Sequence, residues 1–106
     1  ELLVRTRPAK GLLGGMTEVP TTEWSARFDD GDALSHAPLK ADWRRRSERV
    51  THVFTHFPLE LAVYVARVPP RTRTPEGMRF IPLRDVPGEA FPNLMRKVLR
   101  VAGIDS

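Results

Sequence analysis

The chain contains no cysteine. That excludes a disulfide scaffold and any cysteine-ligated zinc or iron–sulfur centre on it, and it fits a cytoplasmic origin. No apolar run approaches the ~20 residues that a membrane-spanning helix needs. A signal-peptide pattern is missing as well, since Glu1 leads straight into the apolar residues 2–4. With no initiator methionine, the chain is expected to be a fragment of a longer protein. Common catalytic patterns are equally scarce. Gly11, Gly14 and Gly15 follow Lys10, whereas a phosphate-binding loop places its lysine after the glycines, and no G-x-G-x-x-G occurs. The glycine loop is therefore expected to be structural. No G-x-S-x-G supplies a nucleophile elbow, and no second acid is paired with Glu60 for glycosidase-type acid–base work. Asp29, Asp30 and Asp32 surround Gly31 in an expected exposed turn, but Lys40 stands where a twelve-residue calcium loop needs its glutamate.

What is present suits one domain. The 106 residues are 41% hydrophobic and 28% charged, the balance of a globular domain with a single modest core. Lys and Arg number 17 against 13 acids, a net charge of +4. The basic residues cluster: Arg5, Arg7 and Lys10; Arg44, Arg45, Arg46 and Arg49; Arg96, Lys97 and Arg100. Such patches suit a polyanion, most often nucleic acid. A solvated arginine-rich surface accounts for the same charge, so the charge supports nucleic acid without establishing it.

Residues 50–68 organise the rest. Leu59, Leu61, Val63 and Val65 alternate with Glu60, Ala62, Tyr64 and Ala66, the period of a strand with one buried face. Residues 50–54 are also rich in strand formers, and Pro58 cannot donate to a ladder. Two strands joined by a short loop are expected, with Thr55, His56 and Phe57 at or near its tip. His52 and His56 could share a strand face, but no third metal ligand stands nearby. Elsewhere, residues 2–7 and 78–83 predict strands, 37–48 a short helix and 69–77 an exposed loop. The last helix is the clearest. It starts near Pro92 and ends at Gly103, with Phe91, Leu94, Met95, Val98, Leu99 and Ala102 on one face. Four or five strands and one or two helices make an α+β domain.

The blocks R-P-A-K-G-L-L-G-G-M-T-E-V-P, H-V-F-T-H-F-P-L-E-L, F-I-P-L-R-D-V-P and F-P-N-L-M-R-K-V-L carry a family resemblance. Their order resembles the C-terminal domain of the A/G-specific adenine DNA glycosylases, the MutY family, over about residues 2–102. The resemblance implies a Nudix-like (MutT-like) α+β fold, a mixed sheet packed against helices, used for recognition rather than hydrolysis. It implies a part in base excision repair, helping to find 8-oxoguanine:adenine mispairs in double-stranded DNA. A separate N-terminal catalytic domain, a partner on the same parent chain, would remove the adenine and carry any iron–sulfur cluster. The family's Phe-Ser-His recognition loop maps onto Phe54, Thr55 and His56, with Thr in place of Ser. Arg44, Arg45, Arg46 and Arg49 are the expected phosphate contacts. A cytoplasmic, nucleoid-associated, bacterial setting follows from the same resemblance.

Two rivals stand beside it. An active Nudix hydrolase needs G-x5-E-x7-R-E-U-x-E-E-x-G-U. Thr17, Pro20 and Thr21 stand six residues after the three glycines, and no Glu-Glu or Arg-Glu pair occurs. A protein-interaction module on the same fold would use its basic patches on an acidic partner and show no preference for oxidised DNA.

Overall fold

The structure is a computed structural model that describes residues 1–24 and 30–105. Among these, seven short strands and one α-helix form in the order β1 (Leu2–Thr6), β2 (Thr17–Glu18), β3 (Arg44–Arg45), β4 (Val50–Val53), β5 (Pro58–Leu61), β6 (Tyr64–Val65), β7 (Met78–Ile81) and α1 (Asn93–Ala102). Two 3-10 segments, Asp30–His36 and Leu83–Gly88, complete the order. The strands make an antiparallel sheet β2-β1-β7 and two antiparallel pairs, β3 with β6 and β4 with β5. The α+β class is as expected.

The helix forms where its apolar spacing predicts. Leu94, Met95, Val98 and Leu99 are buried along one face. Its end is built from the backbone: Gly103 takes φ 84°, its N–H donates to the Arg100 carbonyl at 3.0 Å, and the Ile104 N–H donates to Leu99 at 2.8 Å. That is the paired closure of a left-handed helix cap, which glycine adopts without steric penalty. Against this face pack Val4, Val50, Val63, Ile81, Val86 and Phe91, so the core draws on the three-stranded sheet, on the β4–β5 pair and on the segments between elements. Each of these side chains contributes about 1.5–3 kcal/mol by leaving water.

The loop between β1 and β2 is tight for a definable reason. The Arg7 N–H donates to the Met16 carbonyl at 2.9 Å, and Gly15 N–H reaches back to Arg7 and Pro8. A Cβ on Gly14 would lie 2.3 Å from the Ala9 carbonyl oxygen, so only glycine fits there. Leu13 is half-buried against the core. The structural role expected of the glycines is what the backbone shows.

Two expectations are corrected. The alternation over 59–66 predicts one strand, but Ala62 and Val63 interrupt it, so β5 pairs with β4 and β6 with β3. The Val63 carbonyl still accepts from the Arg46 N–H at 2.8 Å while its side chain is buried, a local change of partner rather than a loss of bonding. Residues 37–48 form no helix; Arg44 and Arg45 pair as strand with Val65 and Tyr64 instead. Their weak amphipathicity gave a helix no apolar face to bury, and the ladder took precedence. Residues 83–88 wind as 3-10 helix. Of the acidic turn, Asp29 lies outside the described residues.

Candidate nucleic-acid interface

The hairpin β4–β5 places the expected recognition residues together. Val50 pairs with Leu61, Thr51 with Glu60, His52 with Leu59 and Val53 with Pro58. The Phe54 N–H then donates to the Phe57 carbonyl at 2.8 Å and closes the turn. This leaves Thr55 and His56 alone at the tip, both exposed. Neither takes a positive φ, so the turn is not of the Asn-Gly type that two-residue hairpins favour. Pro58 begins its strand, where a missing N–H does least harm. His56 sits in the turn and not on a strand face with His52. Among the described residues, no three His, Asp or Glu side chains gather where a metal ion could sit.

Beneath the tip lies an aromatic base that sequence spacing does not reveal. The Phe54 ring meets Phe57 at 4.9 Å, stacks on Trp24 at 6.0 Å and receives the edge of His52 at 4.7 Å. Two cations touch members of this cluster. The Arg7 guanidinium lies over Trp24 at 4.3 Å, a geometry in which the ring's negative face attracts the charge. At His52, Lys97 of α1 has its Nζ 3.1 Å from Nδ1, and it donates to the Thr51 carbonyl at 3.3 Å. Trp24 itself donates from Nε1 to the Thr21 hydroxyl.

Arg7 is fixed in turn by a buried carboxylate. Glu18 is 2% exposed. Its Oε1 accepts from Arg7 Nη1 at 2.7 Å and its Oε2 from Arg5 Nε at 2.8 Å. Arg5 also donates to the Thr21 carbonyl, and Arg7 to that of Leu12. The basic cluster at the chain's start is thus partly internal architecture. Among the described residues, no buried side-chain N or O lacks a partner, as native interiors require.

The four expected phosphate arginines occupy β3 and its neighbourhood, and each already has a contact. Arg44 pairs with Asp42 at 3.0 Å and Arg49 with Glu60 at 3.2 Å, both solvent-exposed pairs worth little on their own. Arg46 donates to the Ala102 carbonyl at 2.9 Å, stabilising the last turn of α1. Arg45 also has a partner. Farther off, Glu89 accepts from Arg79 and from the Thr17 hydroxyl, and chiefly the Arg79 hydrogen bond lowers its pKa.

Two comparisons fit this geometry. A segment of adenine DNA glycosylase from Homo sapiens is 31% identical over 111 residues, covering 95% of this chain and 20% of that protein. The chain thus spans about a fifth of the length of the relative it matches. The model of the NUDIX domain matches residues 1–101. Nearly the whole of the fold described above falls within that match, and the chain belongs to the NUDIX domain family.

Proposed function

We propose that this domain recognises DNA lesions in base excision repair, reading 8-oxoguanine opposite adenine without performing catalysis. The observation that carries the proposal is the two-residue hairpin tip, where Thr55 and His56 are exposed above a fixed aromatic base. The similarity to part of an adenine DNA glycosylase supports it. 8-Oxoguanine differs from guanine by a carbonyl at C8 and a proton on N7. A threonine hydroxyl both donates and accepts, so it can answer both changes at once. His56 beside it would read the purine edge. Phe54 supports the tip from below. Arg44, Arg45, Arg46 and Arg49 would exchange exposed contacts for phosphates, fixing register without reading sequence. Adenine removal would fall to a separate domain of a longer parent.

An amide NMR titration with two duplexes, one 8-oxoguanine:adenine and one guanine:adenine, tests the proposal. Shifts centred on residues 52–57 and larger for the oxidised duplex are expected. Thr55→Val, which keeps the shape and removes the hydroxyl, should reduce the preference about tenfold, the size of one lost base-specific contact. Equal shifts for both duplexes, confined to the arginine clusters, would leave only general DNA binding.

A further inference from the structure

The hairpin tip carries an apolar surface that hydrogen bonding by Thr55 and His56 does not use. Phe57 is 41% exposed and Val53 73% exposed. Cross-strand pairs alternate between the two faces of a hairpin. Phe54 and Phe57 therefore share one face, while Val53 and Pro58, paired with each other, share the opposite one. The tip is apolar on both sides. A tip that docked on a protein surface would bury one face; insertion between two flat surfaces buries both.

Phe57 is also held in place. Its ring rests on Phe54, Phe54 on Trp24, and Trp24 under the Arg7 guanidinium. A ring packed this way has already lost most of its rotamer freedom, so contact with a ligand costs it little further ordering. Lys97 stands beside the column at His52 and places positive charge where a polyanion would approach.

We infer that Phe57 is a wedge that enters the base stack next to the mispair, with Val53 and Pro58 as its second apolar face. This rests on the proposed reading of mispaired DNA. Apolar side chains that insert between base steps unstack them and kink the duplex, and the unstacking cost is lowest where pairing is already weak. The wedge would open the step so that the Thr55 hydroxyl and His56 reach the edge of the oxidised purine. Phe57 thereby becomes a determinant of lesion preference that makes no hydrogen bond.

The test uses the full-length protein and a duplex with 2-aminopurine beside 8-oxoguanine, whose fluorescence rises when its base is unstacked. Wild type should raise the fluorescence. Phe57→Ala should abolish the rise and weaken binding about tenfold, the effect of one lost base–aromatic stack. The slope of log affinity against log salt should not change, because no phosphate contact is removed. Phe57→Trp, which preserves a ring on Phe54, should restore the rise. A wild-type fluorescence increase that persists in Phe57→Ala overturns the wedge, as does a wild-type complex that binds with lesion preference but no increase. Equal wild-type affinity for 8-oxoguanine:adenine and guanine:adenine duplexes overturns the lesion reading itself, a result separable from either of these.

Discussion

Replacing Glu18 by glutamine should destabilise the domain far more than its small chemical change suggests. The carboxylate is 2% exposed and serves two arginines with two different oxygens. Glutamine keeps the shape but has one oxygen and one NH2, so in either orientation one guanidinium faces a donor. A lost hydrogen bond to a charged group is worth about 1.5–3 kcal/mol, and removing one member of a buried ion pair about 3–5 kcal/mol. The arginine side chains retain 32% and 18% exposure. They can therefore recover some hydration, which places the expected loss near the lower end, about 2 kcal/mol. For a domain of this size each kcal/mol moves the melting temperature by about 4–8 °C. A fall of roughly 8–16 °C follows by that conversion, readable by circular dichroism or calorimetry. Glu18→Ala, which leaves both arginines without their carboxylate, should be worse. Freed from Glu18, Arg7 should also lose its position over Trp24, so the tryptophan fluorescence should shift. A Glu18→Gln melting temperature within about 2 °C of wild type would refute the view that this carboxylate organises the strand pair and the base of the hairpin.

Two further outcomes are expected. Gly14→Ala should lower the melting temperature, because its Cβ would lie 2.3 Å from a backbone oxygen that cannot move aside cheaply; Gly88→Ala, with open space at that position, is the control. Glu89 titrates below its ordinary value of 4.5, chiefly through its hydrogen bond from Arg79 and then that from Thr17. A carboxylate depressed in the folded state contributes stability above its unfolded value and loses it as pH falls through the folded one. Melts of wild type and Glu89→Gln between neutral pH and about pH 3 should therefore converge on the acid side, below 4.5.

Local pattern explains which features could be read in advance. The helix was legible because six apolar residues repeat at its period and Gly103 ends it. The hairpin was legible because β-branched and aromatic residues flank a proline that cannot donate to a ladder. The division of 59–65 between two pairings was not, since the same alternation satisfies one long strand or two short ones. Arg44 and Arg45 carry no strand signal of their own; their pairing exists only because Tyr64 and Val65 are within reach. The base of the candidate site was hidden for the same reason. Trp24, Phe54 and Arg7 come from three separate stretches, and no spacing rule connects them. Lys97 was legible only as one member of a basic cluster, and only the fold brings it to His52. The place of Thr55 and His56 in a turn, by contrast, was legible from the strand formers and the proline that flank them.

The closure of that turn has a consequence for redesign. The link between Phe54 and Phe57 is made wholly by backbone atoms, and neither residue between them needs a left-handed conformation. The identities at positions 55 and 56 are therefore nearly independent of folding. A library randomised at these two positions should yield mostly well-folded members, readable by melting temperature across the set. The domain separates its foundation from its address, and changing the address need not disturb the foundation.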